Sequence, residues 1–316
     1  VIATVTVNPA FDKLCYVDDF SAGEVHRISR ETQERTVIGG KGVNVSVFLR
    51  TFGLDSIAMG FSGGLHGTLL ELDLRDLGVT TNFVRTEHET RTNLFFIDKK
   101  NDRLTVVNVS GSAIGSEDLQ LFEDRFQKVL NQIDTLVLSG SLLPDMDVNF
   151  YGNLVERAHA KGVRVLVNTS PRYFESVVLV GGFALFPDLR SGGDFYGQTL
   201  ADAHDCLACG RTLLKECATC EVVVFSHLIG EIITITREDS RIFRRRDLHP
   251  ANLLGFADAV VAGLLYGLEG GHSLPEALAW GSAAGFAVGE QETKFDLTLK
   301  HVEEALSLLE VEEIEP

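Results

Sequence analysis

The sequence predicts an α/β protein whose core is a mainly parallel sheet with helices on both faces. Apolar strand-like runs alternate with amphipathic helix-like runs over most of the chain, the pattern of successive β-α units. The length of 316 residues allows one large α/β domain or two smaller ones, and an apolar content of 45% is ordinary for a globular core. In order, the strand-like runs are "IATVTV" near the N-terminus, "SIAMGFSG", "TLVLSGS", "VRVLVNT", "FALFP" and "VVVFSH". The helix-like runs cover Val43–Phe52, His66–Leu77, Ser116–Leu130, Val148–Ala160, Leu200–Glu216, Asp258–Glu269, Leu274–Val288 and Lys300–Leu309. Sheets of this kind receive ligands at the carboxyl ends of their strands.

Two stretches depart from the alternation. Residues 13–36 and 92–107 read as strands and turns without a helix, the second as a hairpin with Lys100-Asn101-Asp102 at its tip. They can pair into a small second sheet. The chain has no Pro- or Ser-rich linker, no low-complexity tract and no internal repeat, so residues 1–316 are expected to form a single domain carrying that small sheet.

Apolar stretches such as "ESVVLVGGFALF" are broken well short of the ~20 residues a membrane span needs. "VIATVTVNPA" reads as a strand and lacks a basic n-region and cleavage site, so the expected location is cytoplasmic, with no membrane partner. A net charge of −17 argues against a nucleic-acid partner but leaves room for a local basic pocket. The short run Arg244-Arg245-Arg246 reads as a solvated strand end. Four of the five cysteines, Cys206, Cys209, Cys217 and Cys220, form two C-x-x-C pairs. On a helix of about 100° per residue they share one face and stretch over about 21 Å, too far to meet at one zinc ion, so they are expected to be buried as small hydrophobes unless Gly210 breaks the helix.

Several stretches can carry chemistry. In "VIGGKGVNVSVFLRTFG", Gly39, Gly40 and Gly42 lead into a helix beside Lys41. Close backbone approach, free helix-terminal N–H groups and a cation together suit an anion, though a Gly-rich helix start gives the same pattern. Neither a Walker A sequence nor G-x-G-x-x-G is present. Asp12 follows the first strand in "TVNPAFDK", where it is either a turn residue or a ligand-side carboxylate. Arg91 and Asn93 open a strand-like run in "ETRTNLFF", and a planar guanidinium suits phosphate. Asp258 sits among apolar neighbours in "LLGFADAVVAG", as a helix cap or as a base aimed at something in front of the turn.

Taken together, "NPAFD", "GGKGVNV", "TRTN", "VSGS" after Asn108, "LSGSLLP" at 138–144 and "GFADAVVAG" resemble the PfkB carbohydrate kinase family, of ribokinase-like fold. Within it they resemble the 1-phosphofructokinase and tagatose-6-phosphate kinase branch, to which "GGKGVNVS" is specific. The motifs occur in the family's order from residue 8 to residue 263, so the resemblance covers essentially the whole chain. It implies a three-layer sandwich with a small β lid that often forms a homodimer contact. It also implies ATP with Mg²⁺ as donor and a phosphorylated ketose as acceptor. By position it assigns sugar hydroxyls to Asp12, Gly39, Gly40, Asn44 and Asn93. The sugar phosphate falls to Lys41, Arg91 and Ser139, and the catalytic base to Asp258.

The departures from the family pattern cluster on the nucleotide side. G-A-G-D is here Gly255-Phe256-Ala257-Asp258, and K-P-N-x-x-E is Phe186-Pro187-Asp188-Leu189-Arg190-Ser191. The strand-end acid is Asn168, and the nucleotide loop "SHLIG" keeps only Ser226 and Gly230. The resemblance leaves Asp188, Ser226, Gly230, Gly255, Phe256 and Ala257 to meet the nucleotide. Two functions follow as expectations: an ATP-dependent kinase acting on a ketose phosphate such as fructose 1-phosphate or tagatose 6-phosphate, or a non-catalytic sugar-phosphate sensor with a vestigial ATP site.

Overall fold

The apolar runs of the N-terminal two thirds pair in parallel. β1 (Ile2–Thr6) lies between β4 (Ser56–Gly63) and β8 (Thr135–Ser139), and β5 (Thr80–Thr86) flanks β4. From β8 the sheet continues through β9 (Arg164–Thr169), β10 (Ala184–Pro187) and β11 (Val222–Phe225), all parallel. Three antiparallel strands, β12 (Glu231–Thr236), β13 (Ser240–Arg244) and β14 (Glu310–Ile314), complete a ten-stranded sheet. The structure is a computed structural model, and it describes residues 1–101, 103–189, 195, 197–228, 230–245 and 254–314.

The two-residue period of the strands divides the core. Leu136, Leu138, Val165, Val167, Leu185, Val223 and Phe225 point to one face, against α4 (Ser116–Leu130), α5 (Phe150–His159), α6 (Phe174–Val180) and α7 (Ala203–Glu216). Val137, Leu166, Ala184, Val222 and Val224 point to the other, against α2 (Lys41–Thr51), α8 (Phe256–Glu269), α9 (Leu274–Gly289) and α10 (Leu299–Ser307). α3 (Gly64–Asp76) packs beside α2 through Leu70 and Leu74. The result is the layered α/β architecture expected.

A second sheet of four strands orders β3 (Glu34–Gly39), β2 (Ala10–Tyr16), β6 (Arg91–Asp98) and β7 (Arg103–Val107). One helical turn, α1 (Arg30–Gln33), interrupts the stretch 13–36 that reads as helix-free. Its turn closes locally, with the Ser29 amide donating to Gln33 Oε1 and the Ser29 hydroxyl to Glu31. The tip residue Asp102 lies outside the described residues.

Other expectations are corrected. β5, α6 and the three antiparallel strands are additional to the sequence reading, and the helix expected to reach Leu309 stops at Ser307. The acidic segment "EVEEI" becomes β14 because β13 offers it arginines: Arg241 pairs with Glu313 at 3.0 Å and Arg244 pairs with Glu312. Arg244 also meets Glu231 at 2.7 Å. Arg245 is buried, not solvated, and its guanidinium holds Glu290 at 2.5 Å. Arg246 lies outside the described residues.

α8 and α9 touch through glycines. A Cβ at Gly263 would fall 2.6 Å from the Trp280 carbonyl oxygen, 2.7 Å from Ala284 Cβ and 2.9 Å from Gly281 Cα. Backbone atoms of this kind cannot rotate away. Ala in place of Gly adds about 1 kcal/mol of helix propensity, while overpacking costs about 1–3 kcal/mol. Gly263→Ala is therefore expected to be destabilising on balance, read as a lower urea midpoint at unchanged slope.

Candidate active site

Strand pairing places the first carboxylate. β2 and β6 run parallel with Asp12 opposite Asn93, and β2 pairs antiparallel with β3 so that Ala10 faces Gly39. Asn93 Nδ2 donates to Asp12 Oδ1 at 3.0 Å, and Asn93 Oδ1 accepts from the Val109 amide at 3.2 Å. Gly39 is required here by space: a Cβ would lie 2.3 Å from Asp12 Oδ2. The next residue, Gly40, has φ +106° and is the N-cap of α2, which begins at Lys41.

Two helix N-termini then meet. Asn44, in the first turn of α2, donates from Nδ2 to Asp258 Oδ2 at 2.8 Å. Asp258 lies in the first turn of α8, only 2% exposed, and its Oδ1 accepts from Asn168 Nδ2, at the end of β9, at 3.0 Å. The two ends of the chain's chemistry are joined by a residue the sequence reading passes over. Lys294 Nζ donates to Asn44 Oδ1 at 2.7 Å and to Asp12 Oδ2 at 3.3 Å, with the lysine 4% exposed. An ammonium only donates, so Asn44 must turn its carbonyl to Lys294 and its NH₂ to Asp258. Lys294 opens a 3₁₀ turn, Lys294–Asp296, fixed by a capping box in which Thr293 and Asp296 bond reciprocally. The T-x-x-D spacing around a lysine was the available sequence signal.

The remaining candidates fall at the same strand ends, with different partners. Lys41 is paired with Asp188, which follows β10, at 2.5 Å. Arg91 donates to the Val109 carbonyl at 2.8 Å and the Asn8 carbonyl at 3.1 Å, while its buried Nε has no partner. Burial pushes the Arg91 guanidinium pKa down, with Asp12 opposing. It borders a cavity lined also by Asn8, Gly63, Thr90, Gly111 and Leu143. Ser139 is fully buried, its Oγ unpartnered, opposite Asn168 in the β8–β9 register.

On the expected nucleotide side, Gly255 is the α8 N-cap with φ +79°, and no side chain caps the helix. Phe256 and Ala257 are the first helical residues, so their N–H groups have no intrahelical acceptor. The Phe256 ring turns into the core, 5.8 Å from the Phe286 ring, so it does not line the cleft. A Cβ at Gly285 would lie 3.4 Å from that ring, which shows how closely the backbone of α9 approaches it. Ser226 follows β11 and Gly230, with φ +77°, precedes β12. Arg190, Ser191 and Ile229 of the two degraded motifs lie outside the described residues.

The cysteines are not a single helical face. α7 runs through Gly210, where a Cβ would meet Ile235 Cδ1 at 2.7 Å, but it ends at Glu216, leaving Cys217 as C-cap and Cys220 beyond. All are buried free thiols. Among the described residues, the potential metal ligands whose atoms come within 4.8 Å of one another are Asp202, His204 and Asp205.

Chemically, the site offers a buried carboxylate at a helix N-terminus, oriented by two amides, with backbone N–H groups beside it that have no intrahelical acceptor. A hydroxyl placed against Asp258 can lose its proton there, and an anion can be met by the α8 amides. The model of the pfkB family of carbohydrate kinases matches residues 6–298. The 1-phosphofructokinase of Bacillus subtilis is 29% identical over 92% of this chain and 93% of its own. The tagatose-6-phosphate kinase of Staphylococcus epidermidis is 25% identical over 96% and 99%. A crystal structure described as "Possible 1-phosphofructokinase" from Thermotoga maritima superposes with a TM-score of 0.92, at 32% identity and 99% coverage of both chains.

Burial pushes the Cys206 thiol up to about 12 and Cys209 up to about 11, whereas a hydrogen bond with Cys220 holds the Cys217 thiol down at about 6; all five thiols are buried. A thiol-selective disulfide reagent is expected to titrate fewer than one of the five cysteines in the native protein at pH 8, and all five after denaturation. At Cys206 and Cys209 the folded protein holds protons that unfolded thiols release above about pH 9, which lowers stability as pH rises from about 9 to 11.

Proposed function

The chain belongs to the pfkB family of carbohydrate kinases, and on that premise we propose that it transfers the terminal phosphoryl group of ATP to a hydroxyl of a ketose phosphate, with Asp258 as general base. The single observation that supports this most is the placement of Asp258: 2% exposed, at the start of α8, with Asn44 and Asn168 each donating to one of its oxygens. Each oxygen keeps a second lone pair, so the carboxylate can still accept the proton of an acceptor hydroxyl. As the hydroxyl oxygen bonds to the transferred phosphorus and the bond to ADP breaks, that proton passes to Asp258.

Asp12, Gly39, Gly40, Asn44 and Asn93 hold the sugar hydroxyls in this reading. Lys41, Arg91 and Ser139 serve the sugar phosphate. Lys41 reaches it by exchanging the Asp188 carboxylate for a phosphate oxygen, one anion for another. The uncapped N-terminus of α8, with the amides of Phe256 and Ala257, receives the phosphoryl group in transit, and Gly255 allows the tight left-handed entry. Ser226 and Gly230 border the nucleotide. Mg²⁺, when bound with ATP, neutralises charge on the β- and γ-phosphates, and Asp188 supplies a hard carboxylate at the strand ends suited to its water shell.

The relatives' names, 1-phosphofructokinase and tagatose-6-phosphate kinase, support a ketose phosphate of the fructose 1-phosphate or tagatose 6-phosphate type as acceptor. The edge strand β7 of the small sheet is exposed along its length, with Leu104, Val106 and Val107 outward, which supports assembly as a homodimer through this lid. No helix among the described residues is long and apolar enough to cross a membrane.

The test is nucleotide-dependent turnover over a panel of ketose phosphates. Asp258→Asn is expected to lower kcat by about 10²–10⁴-fold, the span of a lost general base, with little change in sugar-phosphate affinity. Full activity in that variant removes Asp258 from the base role. Ketose-phosphate binding without turnover with ATP or another nucleotide removes the kinase reading itself.

A further inference from the structure

Lys294 is a charged side chain 4% exposed, on no element that the motifs assign to the reaction. Among the described residues its ammonium makes two hydrogen bonds, and each leads to a different carboxylate. Directly, it meets Asp12 Oδ2 at 3.3 Å. Through the Asn44 carbonyl oxygen, at 2.7 Å, it reaches the amide that donates to Asp258. Burying a charge without a partner is costly, so the arrangement is stable only as a set. Without Lys294, Asp12 would keep a single side-chain donor, Asn93, in a site almost closed to water. Asn44 would lose the contact that determines which end of its amide faces Asp258. If its carbonyl turned to Asp258, two acceptors would oppose each other.

We propose that Lys294 is a positioning residue of the acceptor side: it fixes the orientation of Asn44, and through it Asp258, while serving as the buried counter-ion of Asp12. Among the described residues its ammonium bonds only to acceptor-side groups, Asp12 and Asn44, while its Cβ lies beside Gly255 at the start of α8, where a Gly255 Cβ would fall 3.7 Å from it. The assignment rests on the kinase reading above. It adds a residue from the segment after α9 to a site otherwise built from the N-terminal strands, α2 and α8.

The test is a double-mutant cycle on the full chain with Lys294→Met, Asn44→Ala and the combined variant. Turnover is read as kcat and as separate KM values for the ketose phosphate and for ATP. Lys294→Met is expected to lower kcat about 10²-fold, the scale of a misplaced reacting group, and to raise the ketose-phosphate KM while the ATP KM stays within about 2-fold. The combined variant is expected to lose less than the product of the two single losses, because the two variants share the Lys294–Asn44 contact. A purely structural role would reduce the active fraction, lowering kcat with both KM values unchanged, and that result overturns the proposal. Losses that multiply in the double variant also overturn it, since Lys294 would then not act through Asn44. If Lys294→Met does not fold by circular dichroism, Lys294→Gln, which keeps a donor and removes the charge, carries the same comparison. Wild-type protein that neither turns over nor binds any ketose phosphate by calorimetry overturns the kinase reading and this assignment with it. Wild-type turnover with additive losses overturns the assignment alone.

Discussion

Two carboxylates, Asp12 and Asp258, sit almost out of water in one cleft, and the site depends on how their charge is held. At the low effective dielectric of a buried site, unlinked anions would repel each other and remain poorly solvated. Here every oxygen of the pair accepts a hydrogen bond: Asn93 and Lys294 serve Asp12, and Asn44 and Asn168 serve Asp258. The network is continuous, from the Val109 amide through Asn93, Asp12, Lys294 and Asn44 to Asp258. With both carboxylates satisfied, the network selects one arrangement of side chains, although the buried Oδ1 of Asn168 has no partner among the described residues.

The fold supplies that arrangement by bringing element ends together. The carboxyl ends of the parallel strands deliver Asn168 and Asp188, and the small sheet brings Asp12 and Asn93 over them. α2 and α8 pack side by side and open toward the same point, so Asn44 and Asp258 meet although they are 214 residues apart. Glycine makes the approach possible where a side chain would not fit, at Gly39 against Asp12 and at Gly263 between α8 and α9. Core packing and site geometry are therefore coupled: displacing α8 from α9 also displaces the carboxylate at its N-terminus.

Much of this is legible in the sequence because it is carried by local patterns. The alternation of apolar runs gives the parallel sheet and its two helical layers, and the glycine bend with Asn44 and the isolated Asp258 mark two of the site's corners. What escapes has no local period. Lys294 is one lysine in "QETKFD", and only the Thr293–Asp296 turn hints that it points inward. β14 is not announced by the sequence because its three glutamates, one valine and one isoleucine favour neither period, and its partner arginines lie some seventy residues earlier. Phe256 is a further case. It stands in the sequence as a bulky residue in a glycine motif, and in the fold α9 leaves room for its ring in the core, against Phe286.

The Lys41–Asp188 pair links the two halves of the cleft and bears on how much of the nucleotide side is lost. Asp12, Asp188 and Asp258 are matched by Lys41, Lys294 and Arg91, so the cleft is close to neutral within a chain of net charge −17. A phosphorylated sugar entering at Lys41 and Arg91 would displace Asp188 from its cation. Asp188 lies at the end of β10, where its backbone amide donates to the Thr169 carbonyl at 2.9 Å. There it can serve the hydration shell of a divalent cation. On the kinase function proposed, Asp188 would stand in for the acid missing from the degraded motif, and its ion pair with Lys41 would link the acceptor half of the cleft to the donor half.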